Sequence, residues 1–225
     1  IDAQTYQQMR GKSYQEGDIL AEAINGNITL YAIWAKAATL VVTNRIVLPD
    51  DAPEGMLNQF SNLFSRNKDI RGWVIVDDTN INYPIMQSQD STGNVDYSTH
   101  NFDGRLSDYG VPYFDSKAAF FTPDSVNRNL VVYGNNYRGK MFSQLTGYTD
   151  LTFLQEHPVV EMNTIFHNAK WKVFAVLYAG DRDKNQFDYT QNTFLDDQAF
   201  LDFAYQLQRR SLFVIPDNAV NVTAD

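Results

Sequence analysis

The stretch WVIVDDTNINYPIMQ, residues 73 to 87, most limits what this chain can fold into. Two short β-forming runs flank the turn set Asp77-Asp78-Thr79-Asn80, which reads as two strands joined by a tight connection. Pro84 lies inside the second run and has no N–H for a ladder, so this strand belongs at an edge or starts there. Further short runs follow at 111–114, 129–134, 159–166 and 170–180, the last two spaced as a hairpin. Three segments carry helical spacing instead. Pro53 can open a first turn, with Met56, Leu57, Phe60, Leu63 and Phe64 after it and an end near Arg66-Asn67. MFSQLTGYTDLTFLQEHP, 141–158, predicts a helix with Phe142 and Leu145 inward, stopping before Pro158. DDQAFLDFAYQLQRRS, 196–211, predicts another: Asp196 or Asp197 at its start, Phe200, Leu201, Phe203, Ala204 and Leu207 inward, and Arg209-Arg210 near its end. Six to eight short strands with two or three helices, in no strict βαβ alternation, predict a mainly β fold with helices (α+β), a mixed or antiparallel barrel.

The 225 residues are 44% hydrophobic, with 13 Tyr and 15 Phe, enough for one sizeable core. A net charge of −9 argues against duplex nucleic acid and anionic lipid as partners, since both need a basic face. With no cysteine, these residues hold no disulfide, thiolate metal site or thiol nucleophile. LPDDAPEG, 48–55, reads as a linker and divides the chain into an N-terminal segment, 1–50, and a main domain, 51–225. Within the first, Asn25-Gly26 marks a turn before the alternating strand Ile28 to Trp34. That strand, Thr29-Leu30-Tyr31-Ala32-Ile33-Trp34, packs as a hairpin on the main domain or resembles the closing "TLYAxW" strand of β-repeats in internalin-type bacterial surface proteins. The apolar run from Ile28 to Val42 is too short for a membrane span and carries Lys36.

The candidate chemistry lies in NLVVYGNNYRGKMF, 129–142. A buried strand that ends in glycine and then presents polar side chains is a common way to build a site. Here the polar pair is Asn135-Asn136, and asparagine neither takes nor gives a proton. The stretch is therefore a binding site, or it lacks a catalytic residue. His100, His157 and His167 have no metal-type spacing, and His157 before Pro158 reads as helix-end packing. No phosphate-binding glycine motif is present, and Asp181-Arg182-Asp183-Lys184 reads as a solvated loop.

Four blocks in order resemble the class B sortases, the cysteine transpeptidases of Gram-positive cell surfaces, over roughly three quarters of the chain, from about Phe60. GWVIVDDTNINYPIMQ resembles the family's opening strands, and DYSTHNFDGRLSDYGVPYFDS the segment after them. NLVVYGNNYRGKMFSQLTGY resembles the site block, and FDYTQNTFLDDQAFLDFAYQLQRRSLF the insertion between the sixth and seventh strands. The resemblance implies an eight-stranded sortase barrel with N-terminal helices and a helix in the late loop, acting at the extracellular face of a Gram-positive membrane. It implies a thiolate that attacks a sorting-signal peptide, and an amine of cell-wall peptidoglycan or a pilin that resolves the thioacyl enzyme. A histidine protonates the leaving amine and an arginine holds the oxyanion. No cofactor and no metal is implied.

The sequence departs from the family at the chemistry. The family's histidine follows Tyr-Gly, and that position here is Asn135, with Asn136 beside it. VNVTAD, 220–225, matches the lead-in to the family's cysteine strand, so the expectation is a barrel lacking its last two strands and inactive as these residues stand. The resemblance places Asn94, Ser98, Tyr189 and Thr190 in the substrate groove; Ser98 stands where the family has leucine. Read from the residues alone, Asn94 is a turn residue and Tyr189 packs its loop. Three functions stay open: a class B sortase catalytic domain, a degenerate sortase-like module that binds peptide or cell wall without catalysis, and an unrelated β-rich surface domain.

Overall fold

The computed structural model describes residues 48–88, 95–119, 122–125, 127–179 and 187–214. All but Leu48 belong to one compact unit that begins at Pro49. The expected repeat-like strand at 28–34 lies outside the described residues.

The first helix starts later than Pro53 and ends as expected. A 3₁₀ turn at Asn58–Phe60 leads into α1, Ser61–Arg66, which stops at extended Asn67. Gly55, at φ +81°, breaks any helix begun at Pro53, and only beyond it can the chain coil continuously. Phe60 and Phe64 of this segment are buried.

Among the described residues eight strands follow: β1 Ile70–Ile75, β2 Asn82–Met86, β3 Tyr113–Phe114, β4 Val132–Tyr133, β5 Asn136–Tyr137, β6 Lys140–Met141, β7 Val159–Thr164 and β8 Lys170–Lys172. Six form one mixed sheet in the order β4-β3-β2-β1-β7-β8, and β5 and β6 make a separate two-stranded ribbon. The 73–87 stretch folds as read, with β1 and β2 antiparallel and Ile75 opposite Asn82 across the turn. Asp78 supplies the positive φ there, at 57°. Pro84 is tolerated inside a central strand because β3 meets β2 in parallel only at Met86, leaving β2 an edge at the proline. Ile70, Ile85, Met86, Phe114 and Ile165 are almost wholly buried along the sheet.

The 141–158 stretch is helical in two pieces. A 3₁₀ helix, Phe142–Thr149, is separated from α2, Leu151–Glu156, by extended Asp150. The Asp150 carboxylate accepts hydrogen bonds from the N–H groups of Thr152 and Phe153, so the break is itself an N-cap. Tyr148 and Leu154 are its buried residues, while Phe142 and Leu145 are half-buried. His157 ends α2 with its ring 4.2 Å from that of Phe153, the helix-end packing expected of it. β7 and β8 pair as a hairpin, but β8 ends at Lys172 rather than running to Gly180. The late helix is α3, Asp197–Arg209; Asp196 caps it by accepting from the Ala199 N–H, and Phe203 and Ala204 are buried. Among the described residues, no helix is long and apolar enough to cross a membrane.

Candidate functional site

β4 sets the site. It pairs antiparallel with β3, Tyr113 opposite Tyr133 and Phe114 opposite Val132. The chain leaves the strand after Tyr133, and Asn135 follows two residues on. Gly134 between them is required: a Cβ there would run into the ring of Phe142. The chain then reverses through Arg138 and Gly139, both at positive φ (50° and 72°), which makes the β5–β6 ribbon a primed hairpin. Met141 ends the ribbon at φ 50°, ψ −120°, a conformation that strains any residue with a Cβ. Its neighbour Phe142 donates its N–H to the Asn135 carbonyl at 2.9 Å, folding the segment back on itself.

Both N–H groups of the Asn135 side chain are used. Its amide nitrogen donates to the carbonyl of Ser98 at 2.7 Å and to the carbonyl of Tyr109 at 3.1 Å. These two carbonyls lie near opposite ends of the 96–110 loop, so a single amide ties that loop to the end of β4. The loop is otherwise held from within. Asp96 accepts from the Ser98 N–H (3.0 Å), and Asn101 accepts from the N–H groups of Asp103 (3.1 Å) and Arg105 (3.0 Å). Ser107 donates its N–H to the Thr99 carbonyl at 2.8 Å. Gly110, at φ +60°, lets the chain pass against the carbonyls of Tyr97 and Ser98. At the loop base Tyr97, 2% exposed, donates its hydroxyl to Asp69 at 2.8 Å.

The bonds from Ser98 and Thr99 hold the Asp96 carboxyl below its usual pKa. A depressed carboxyl stabilises the folded loop at every pH above the unfolded value, about 4, and that contribution is lost as pH falls through the lower folded value. Hydrogen exchange of the Ser98 and Thr99 amides should therefore show constant protection from neutral pH down to about pH 4 and lose it below. Loss of protection between pH 7 and 5 would contradict this account.

Of the other expected groove residues, Asn94 lies outside the described residues. Ser98 joins Asn135 through its backbone carbonyl. Its hydroxyl turns away to Asp96, so the residue works here through its main chain. Asn136 is exposed on β5, opposite Met141, and contributes nothing to the Asn135 clamp. Tyr189 is half-buried, and its carbonyl accepts from Asn129 at 3.2 Å, which docks the 187–191 loop beside β4. Burial, the Asp115 carboxylate and the neighbouring Tyr189 and Tyr113 phenols all push the Tyr133 pKa up. Thr190 is bonded to Asp188 through both its N–H and its hydroxyl, so it shapes its own loop.

Several residues of the site were not singled out from the sequence. Tyr133 donates its hydroxyl to Asp115 at 2.9 Å, with the Tyr113 ring 5.4 Å from its own. Tyr109 and Tyr137 bring their rings to 5.8 Å, and the Arg138 guanidinium lies 4.8 Å above Tyr137, forming an aromatic rim beside Asn135. The partners of Tyr133 and Asn135 are set by the fold. Among the described residues, no three histidine, aspartate or glutamate side chains are grouped to hold a metal.

The comparisons with known proteins agree on one family. Sortase B of Listeria monocytogenes is 31% identical over 157 residues, covering 69% of this chain and 60% of that protein. Sortase B of Staphylococcus aureus is 27% identical over 166 residues, covering 73% of this chain and 63% of that protein. A solved Staphylococcus aureus sortase B-substrate complex superposes with a TM-score of 0.65 at 28% identity, covering 76% of this chain and 74% of that one. The chain belongs to the class B sortase family. Its fold is that of the sortase B structures. The chain spans about three fifths of the length of the two curated sortases. No family model matches it.

Proposed function

We propose that this sortase B-type chain presents a groove for an extended sorting-signal peptide, walled by the 96–110 and 187–190 loops, with Asn135 in the place of the family's histidine. The Asn135 amide carries the proposal. Two hydrogen bonds fix it to the loop, so the groove wall is positioned in advance, while proton transfer at this position is not available. Support for a peptide ligand comes from the Staphylococcus aureus sortase B solved as a substrate complex. Asn94, Ser98, Asn136, Tyr189 and Thr190 are the positions proposed to face the peptide, with the 96–110 loop contributing its shape. The setting proposed is the extracellular surface of a Gram-positive cell, where cell-wall peptidoglycan or a pilin supplies the acceptor amine.

Covalent transfer along the family route needs a thiolate, an imidazole and a cation, and these 225 residues contain no cysteine. The function proposed for them is therefore recognition; transpeptidation is the second reading, favoured by the family. One assay separates the two. The purified chain is titrated against an unbiased library of fluorescein-labelled peptides with blocked ends, and the hits are incubated with triglycine and weighed by mass spectrometry. The account expects sequence-selective binding, weakened about tenfold by Tyr189→Ala through loss of an aromatic contact, with peptide masses unchanged. Glycine-extended products would establish transpeptidation instead. Absence of selective binding would remove the peptide site.

A further inference from the structure

The β5–β6 ribbon, Asn136 to Met141, carries a charge pattern that the Asn135 clamp does not use. The chain has 27 acids among its 225 residues, yet none lies between Asp124 and Asp150. That stretch holds three cations, Arg128, Arg138 and Lys140. Arg128 pairs with Asp197 at 2.6 Å, whereas Arg138 and Lys140, both exposed, form no ion pair among the described residues. Asp108, beside Tyr109 in the neighbouring loop, is also exposed and pairs with neither. Tyr137 and Lys140 face each other across the ribbon, so their side chains share one face. The Arg138 guanidinium lies 4.8 Å above the Tyr137 ring, which holds it beside that face. The tip of the ribbon is open, since a Cβ on Gly139 would meet nothing within 4 Å.

The backbone at Arg138 is a second, independent observation. Its φ of 50° is left-handed, at a turn position that favours asparagine or glycine. An arginine there makes the hairpin less stable than an asparagine would, so its cation is kept against the local preference. Two unpaired cations and a stacked ring on one exposed face fit a carboxylate, which a guanidinium grips through its planar fork. A broad anionic surface is a poor occupant, because a chain of net charge −9 repels it elsewhere. The ribbon begins at the residue after Asn135 and meets the 96–110 loop through the Tyr109 and Tyr137 rings. We propose that the β5–β6 ribbon selects peptides that carry an aspartate or glutamate side chain, with Arg138 and Lys140 as the residues that read it. This selectivity rests on the peptide groove proposed above.

The test uses the full chain and the peptides it selects from the blocked-end library. Each selected peptide is compared with a version in which its acids are replaced by the matching amides. The expected result is a set of peptides rich in aspartate and glutamate, whose amide versions bind about fivefold more weakly at low salt. Added salt should narrow that difference. Arg138→Asn should cut the preference to about twofold, the share left to Lys140. The same substitution should slow hydrogen exchange in the ribbon, because asparagine suits the turn better. An arginine needed only for the fold would not give that pair of results. Adding Lys140→Gln should remove the preference altogether. Equal binding of acid and amide peptides, or a preference that survives both substitutions, would overturn the ribbon assignment and leave the groove in place. Tighter binding of inorganic polyphosphate, lost in the double variant, would overturn it in favour of a phosphate polymer. No selective binding of any peptide would remove the groove and the ribbon assignment together.

Discussion

Replacing Gly72 by alanine is expected to lower folding stability by about 3 kcal/mol, the upper part of the usual range for overpacking. Gly72 sits mid-β1, between β2 and β7, opposite Ile85 on one side and Thr164 on the other. A Cβ at this position would press into the backbone carbonyl oxygen of Asn163 and reach the Phe114 ring. The obstacle is main chain in a paired strand, which cannot rotate away, so relief requires β1 and β7 to separate. That pairing holds the centre of the sheet, and its loss would expose Ile70 and Ile165 together. Gly134→Ala makes a useful contrast. Its obstacle is the ring of half-buried Phe142, which can turn, so the cost should be smaller and confined to the site. In urea the Gly72 variant should unfold at a midpoint about 1.5 M lower than the parent chain. A shift of only a few tenths of a molar would show that the β1–β7 contact is looser than described.

Asn135→Ala is expected to cost about 2 kcal/mol, because it leaves the Ser98 and Tyr109 carbonyls without their donor. The effect should be uneven across the molecule. Amides in 96–110 should exchange faster, while those in β1 and β7 keep their relative protection. Asn135→His distinguishes a clamp from a residue that merely fills space. A neutral imidazole has a single N–H and can keep one of the two hydrogen bonds, so its stability and loop protection should fall between asparagine and alanine. Equal protection of the 96–110 loop in all three proteins would contradict the clamp.

Much of the scaffold was legible where the determinants are local. The β1–β2 hairpin follows from four turn residues between two apolar runs, and α3 from an aspartate cap and an apolar stripe. Reading failed where one residue's backbone angle decided. Gly55 delays α1, and Asp150 divides the 141–158 helix while capping its second half, neither of which periodicity reveals. At the site, the position of Asn135 was legible from the Tyr-Gly before it. Its role was not, since its partners are backbone carbonyls 37 and 26 residues away, and a carbonyl has no sequence signature. The Tyr133–Asp115 bond, across 18 residues, is hidden for the related reason that β3 and β4 are two-residue strands whose pairing no pattern announces.

The central claim is that the end of β4, the 96–110 loop and the 187–190 loop form one peptide groove. Hydrogen exchange of the full chain, with and without a saturating library peptide, tests it most directly. The account predicts that protection rises together at 96–110, 132–136 and 187–190, and that Asn135→Ala weakens the rise at all three. Protection gained at one of these segments alone, or elsewhere on the sheet, would contradict it.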